Sequence, residues 1–379
     1  MELYVHIPFC IRKCRYCDFL SFAAGDEVKE AYKDALVREI RGEQGKDSRG
    51  VSSVFFGGGT PSLLPEAWMG EIMQALRESF RIEEDAEISL ECNPGTLTQG
   101  KLLAYREMGI NRLSIGLQSA DDRELKLLGR IHSWAMFCES YTLAREAGFS
   151  NVNVDLMSAL PGQTVESWRE TLRKVLALEP EHLSAYSLII EEGTPFYEAY
   201  GEDARRREAG DEPRFLPSED AERQMYEDTK TLLGEAGYHR YEISNYAREG
   251  LECRHNVGYW ERVDYLGLGL GASSLSQGRR FHNTNQMERY LQGNFEKEDV
   301  QVLTRKEQME ETMFLGLRLT KGVSLEAFRR KFGESCEAVY GPVLEKLTGQ
   351  GLLKVEDGNV ALTDHGVDVS NYCMAEFLL

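Results

Sequence analysis

The feature that most constrains this chain is an alternation. Short β-rich runs stand at 3–7 (LYVHI), 52–57 (SSVFFG), 87–92 (EISLEC), 112–117 (RLSIGL), 151–157 (NVNVDLM) and 182–188 (HLSAYSL). Between them lie stretches such as VKEAYKDALVREIRGE, PEAWMGEIMQALRESF and ESWRETLRKVLALEP, with apolar residues at helical spacing. Pro65 suits a helix start and Pro180 lies just past a helix end. Strands separated by helices need right-handed crossovers and so pair in parallel, which predicts an α/β fold. The runs SVFF and VNVDLM are read as strands covered on both faces. Periodicity leaves open whether the sheet closes. In either form, function collects at the carboxyl ends of the strands.

The unusual residues fall at those ends. Strand 1 is followed by Cys10, Cys14 and Cys17; strand 2 runs into Gly57-Gly58-Gly59-Thr60-Pro61. Strands 3, 4 and 5 end at or near Glu91, Gln118 and Asp155.

Three units are expected: 1–237 for the strand–helix alternation, 238–302 as a connecting segment rich in Tyr, Asn and Gly, and 303–379 as a C-terminal domain. Residues 196–217 are charged and broken by Gly and Pro, and read as a surface loop before a helix over roughly 218–236. The C-terminal part predicts three helices and a hairpin around Asp357-Gly358-Asn359, a winged-helix-like pattern. Residues 303–379 carry nine Lys or Arg and twelve Asp or Glu, which favours a docking or structural role over DNA binding.

The whole chain of 379 residues carries a formal charge of −19. That excludes a broad positive footprint for nucleic acid or anionic membrane, but not a local basic pocket. The N-terminus shows no signal peptide and no run suits a membrane span. A cytoplasmic address follows as the expectation, with no membrane insertion and only peripheral contact left open. Thiols stay reduced there, so eight cysteines do not imply disulfides. Cys92, Cys138, Cys253, Cys336 and Cys373 are scattered and read as small buried hydrophobes.

The clustered three follow C-x3-C-x2-C. A zinc site closed by His6 would draw its fourth ligand from the first strand. A redox pair of Cys14 and Cys17 would leave Cys10 without a role. A [4Fe–4S] cluster on three thiolates leaves one iron for a non-protein ligand.

With Tyr16 before its third cysteine, this motif resembles the radical S-adenosylmethionine (SAM) superfamily. HIPFC, GGGTP, ECNP and GLQS are similar to its coproporphyrinogen-dehydrogenase branch. The resemblance implies a partial (β/α)6 barrel with a C-terminal winged-helix-like domain. It makes Cys10, Cys14 and Cys17 the cluster ligands. It matches Tyr4, Gly58, Gly59, Thr60, Glu91, Gln118, Arg130 and Asp155 to SAM-contacting positions. Glycines admit close backbone approach, and a guanidinium suits a carboxylate.

Within the branch, Phe19 stands where the dehydrogenases carry a further cysteine, and only nine residues precede Cys10 where they carry a long arm. His255-Asn256-x-x-Tyr259-Trp260 is similar to the HNxxYW motif of the HemW-type haem chaperones. That resemblance implies haem or another porphyrin as ligand, contacted by His255, Asn256, Tyr259 and Trp260. It also implies a haem-accepting protein as partner, and an electron donor if SAM is cleaved. Either His255 or Cys253 could ligate iron, and Arg254 and Arg262 could pair with propionates. The oxygen-independent coproporphyrinogen III dehydrogenase, a transcriptional regulator and a haem-degrading methyltransferase are the alternatives. Gly267–Ala272 is not G-x-G-x-x-G, and reads as a close-packed turn at the barrel end.

Overall fold

The computed structural model describes residues 1–379. Six parallel strands are β1 (Glu2–Ile7), β2 (Gly50–Gly58), β3 (Arg81–Cys92), β4 (Arg112–Gln118), β5 (Val152–Ser158) and β6 (His182–Ser187). They alternate with α1 (Asp26–Gly42), α2 (Glu66–Ser79), α3 (Gln99–Glu107), α4 (Asp122–Leu128), α5 (Trp134–Glu146) and α6 (Val165–Leu176). Then come α7 (Pro195–Glu208) and α8 (Glu219–Glu235).

Residues 238–302 extend the same sheet at both edges. The short strands β7 (His239–Arg240) and β8 (Asn245–Ala247) continue it beyond β6. After α9 (Arg254–Trp260), β9 (Tyr265–Leu268) pairs parallel to β1. Strands β10 (Ser273–Ser276), β11 (Arg279–Asn283) and, past α10 (Met287–Leu291), β12 (Lys297–Val302) complete an open twelve-stranded sheet.

Two sequence expectations need correction. Residues 195–208 are helical, not loop. Thr194 accepts the Tyr197 N–H, Pro195 opens the first turn, and Arg205, Arg206 and Arg207 sit at the negative end of the helix dipole. The strands are also not covered by apolar layers on both faces. Leu3, Val5 and Ile7, then Ile88 and Leu90, Leu113 and Ile115, and Val152 and Val154 pack toward the helices. The alternate positions (Tyr4, Glu91, Ser114, Asn153, Asp155, His182 and Ser184 among them) line an inner polar cavity. Strand period two therefore builds an oily convex face and a polar concave one.

The C-terminal unit has α11 (Arg305–Gly316), α12 (Leu325–Phe332) and α13 (Cys336–Gly349). Its small antiparallel sheet orders β13 (Val323–Ser324), β15 (Asn359–Leu362) and β14 (Leu353–Glu356). Two short helices, α14 (Asp364–Asp368) and α15 (Ser370–Ala375), follow the expected hairpin. Met313, Phe328, Tyr340, Leu347 and Phe377 belong to its separate core. Leu319 bridges to Glu242, and Arg262 pairs with Glu311 at 2.7 Å, so this unit is fastened to the partial barrel that the open sheet forms.

Candidate functional site

The loop after β1 carries the three cysteines across the carboxyl end of the sheet. Phe9 pairs with Phe22, and Cys10 N–H donates to the Phe22 carbonyl at 3.0 Å. Cys17 N–H donates to the Cys14 carbonyl at 3.3 Å, and Arg15 N–H donates to Leu128 at 3.0 Å. The loop is thereby tied at its base and to the end of α4. All three cysteines are free and partly exposed. Burial raises the Cys17 thiol pKa, and its neighbours Cys14 and Cys10 add to the rise.

Mononuclear zinc does not fit. His6 Nε2 meets the Leu20 carbonyl at 2.9 Å and Nδ1 meets Tyr4 Oη at 3.1 Å, so both ring nitrogens are engaged. No three His, Cys, Asp or Glu side chains converge on one ion. A four-iron cluster does not require that convergence, because each thiolate binds a different iron. Donors also reach the sulfurs: Thr60 Oγ1 lies 3.7 Å from Cys10 Sγ and Arg130 Nη1 lies 3.6 Å from Cys14 Sγ. Soft thiolates, with hydrogen-bond donors on two of them, suit an iron–sulfur cluster.

Beside the cysteines, the glycine turn and the strand ends interlock. Gly58 has φ 113°, and its N–H donates to Glu91 Oε2 at 3.0 Å. Burial, with Asp155 nearby, pushes the Glu91 carboxyl up to about 8, so it holds its proton near neutral pH. Asn93, which the sequence reading passed over inside ECNP, donates to Thr60 at 2.7 Å and accepts from Arg130 at 2.6 Å. Arg130 also donates to the Gly116 carbonyl, while its Nε is buried without a partner. Gln118 holds φ 74°, a sparsely populated backbone region for a residue with a side chain, and accepts from Tyr186 Oη at 3.2 Å. Cys14, Thr60, Asn93 and Arg130 share one small cavity.

Gly59 lies against the cysteine loop itself. A Cβ there would stand 2.7 Å from the Phe9 carbonyl oxygen and 2.8 Å from its nitrogen. Gly59→Ala is expected to push this loop outward and cost about 1–3 kcal/mol. Iron uptake should fall while far-ultraviolet circular dichroism stays native. Gly100→Ala, whose Cβ would meet nothing, is the control.

The second predicted group sits elsewhere. Helix α9 covers the amino ends of β1–β3, opposite the cysteines. His255 is 2% exposed. Its Nδ1 meets Ser53 Oγ at 2.8 Å, its ring stacks on Phe55 at 5.1 Å, and its Nε2 has no partner. Burial, reinforced by the Arg112 charge, lowers its pKa to about 3, leaving a neutral imidazole. Tyr259 packs edge-on to His255 at 4.7 Å, and Asn256 donates to Tyr241 Oη at 3.1 Å. Trp260 lies under the Arg318 guanidinium at 4.3 Å. Cys253 is buried, donates to Glu87 at 3.4 Å and is held protonated, with burial pushing its pKa up to about 12. Arg262 is not free for a propionate, because it is buried against Glu311; Arg254 is exposed beside Asp85.

A cavity of about 300 Å³ links the two groups. Tyr4, Glu91 and Asp155 line it, as do His255, Asn256 and Tyr259. Between them Asn153 Nδ2 donates to Asp155 and Ser114 at 2.7 and 2.8 Å, and its Oδ1 meets His182 Nδ1 at 2.6 Å.

Comparison with known proteins gives this geometry a family context. The Radical SAM superfamily model matches residues 4–175, and the HemN C-terminal domain model matches 303–369. The chain is 36% identical to the heme chaperone HemW of Bacillus subtilis (strain 168), covering 99% of this chain and 98% of that protein. It is 35% identical to heme chaperone HemW of Escherichia coli (strain K12), covering 100% and 98%. Among solved structures it is similar to coproporphyrinogen III oxidase (HemN) from Escherichia coli, described as a radical SAM enzyme. That match has a TM-score of 0.82 and 27% identity over 100% of this chain and 89% of the other.

Proposed function

The chain belongs to the HemW family of radical SAM proteins, and from that premise we propose that it is a haem chaperone. It binds haem, passes it to an acceptor protein, and carries a [4Fe–4S] cluster and SAM. The carrying observation is the end-to-end similarity to proteins named heme chaperone HemW.

In this reading Cys10, Cys14 and Cys17 would hold the cluster and leave it open to SAM. The bound pair supplies one-electron chemistry, for which an external donor is needed if SAM is cleaved. Gly58, Gly59 and Thr60 receive the methionine end, and the unpartnered Nε of Arg130 suits its carboxylate. Glu91, Gln118 and Asp155 hold the remaining polar groups, beside Tyr4. Asn93 orients Thr60 and Arg130 and belongs with them.

Haem contact is assigned to α9 through His255, Asn256, Tyr259 and Trp260. His255 is the better iron ligand than Cys253. Its imidazole is neutral with a free Nε2, whereas the Cys253 thiol keeps its proton. His255 is buried, so ligation requires entry through the inner cavity or displacement of α9. No helix is long and apolar enough to cross a membrane, and we place the protein in the cytoplasm.

The test is an anaerobic haem titration of the cluster-reconstituted chain beside His255→Ala. Saturable one-site binding is expected, weakened by the substitution about tenfold, as a loss of about 1.4 kcal/mol would give. Equal binding by both proteins would remove His255 from the site. No binding by the unaltered chain would end the chaperone reading and favour the dehydrogenase, to which the HemN likeness points. Coproporphyrinogen turnover with SAM and a reductant would then decide.

A further inference from the structure

A second cavity, of about 500 Å³, lies between the barrel and the C-terminal unit. Its size is that of a small-molecule site. Ile243, Tyr246, Leu319 and Leu362 contribute apolar walls. Four cations, Lys230, Arg240, Arg318 and Lys354, face it with two carboxylates, Glu242 and Asp364. In a chain of net charge −19 this is a local positive excess.

The carboxylates quench only part of that excess, although Lys354 also pairs with Glu356 at 3.2 Å. Asp364 is shared by Lys230 at 2.8 Å and Arg240 at 3.5 Å. Glu242 is buried and accepts from Ser244 N–H at 2.8 Å and Asn245 Nδ2 at 2.6 Å, standing 4.0 Å from Arg318. Two buried polar atoms have no partner: Tyr246 Oη, on a side chain 2% exposed, and Arg318 Nε. Each such group costs about 1–3 kcal/mol if left unsatisfied, and both belong to residues that line the cleft, so a small side-chain movement would bring them to an acceptor there. An apolar wall, a cationic rim and two orphan donors fit a flat apolar body with carboxylates on one edge.

We propose that this cleft binds the propionate edge of a tetrapyrrole. The proposal rests on the chaperone reading and adds a second set of contacts for the same haem. Helix α9 connects the two regions, since Asn256 lines the inner cavity while Trp260 backs Arg318. The C-terminal unit thereby becomes one wall of a ligand site, not only a docking module.

The experiment titrates the reconstituted full-length protein with haem and with its propionate dimethyl ester. It compares the unaltered chain with Lys354→Glu, Tyr246→Phe and His255→Ala. Lys354 is half exposed on the hairpin, so its substitution leaves the core intact, and a thermal melt verifies this. Lys354→Glu is expected to weaken haem about tenfold and Tyr246→Phe about threefold. The ester should bind weakly to the unaltered chain and no longer distinguish it from these variants. Haem binding unchanged in both cleft variants, or ester binding as tight as haem, overturns the proposal. If His255→Ala alone weakens binding, the cleft is excluded and the chaperone reading stands. If the unaltered chain binds no haem, the chaperone reading fails and the cleft proposal with it.

Discussion

Alanine at Cys10, Cys14 or Cys17 is expected to reduce reconstituted iron from about four atoms per chain to below one, with loss of the visible absorbance. Each thiolate would hold a different iron, so the remaining two cannot retain a stable cluster. The backbone bonds that shape the loop, from Cys10 to Phe22 and from Arg15 to Leu128, do not involve the thiols. The variants should therefore fold. Cys138→Ala and Cys373→Ala, outside the loop, should reconstitute fully. Iron and sulfide analysis with electron paramagnetic resonance is the measurement. Full iron content in any one of the three loop variants would contradict the assignment.

The second large effect concerns the joint between barrel and C-terminal unit. Arg262 and Glu311 pair at 2.7 Å with side chains only 3% and 8% exposed. Removing Glu311 leaves the buried Arg262 charge alone, so Glu311→Ala should cost about 3–5 kcal/mol. Arg262→Met with Glu311→Met should recover much of that loss, since an apolar pair replaces both charges. Glu311 also meets Arg280 at 2.9 Å, but that guanidinium is 41% exposed and can return to water. Denaturant unfolding of the single and double variants tests this. A single variant as stable as the parent would mean that the joint does not depend on the pair.

Two polar regions share one barrel. The cysteine loop, Glu91 and Arg130 crowd the carboxyl ends of the strands, and α9 closes the amino ends. The cavity between them is lined by hydrogen-bonded side chains in place of the packed aliphatic layers of a closed barrel. A ligand entering at either end would meet titratable groups held neutral by burial: Glu91 near one end and His255 near the other.

Much of this was legible in the sequence where the information is local. The three cysteines lie within eight residues and Gly58, Gly59 and Thr60 are consecutive, so local spacing drew attention to them and the family resemblance supplied their roles. Glu91 and Gln118 stood out because strands of a parallel sheet deliver their carboxyl ends to one face. The six strands and most helices followed from period and punctuation, although the Thr194-Pro195 start of α7 was overlooked in a charged stretch. What the chain could not disclose was which face of each strand turns inward, because the same alternation suits a sheet of either curvature. Nor could it show that α9 plugs the amino ends of the strands, where Ser53 meets His255 across 202 positions. The C-terminal cleft likewise exists only because Tyr246, Arg318 and Lys354 come from separate elements. Covalent spacing determined the cysteine loop; chain closure over hundreds of residues decided what surrounds His255 and what faces the second cavity.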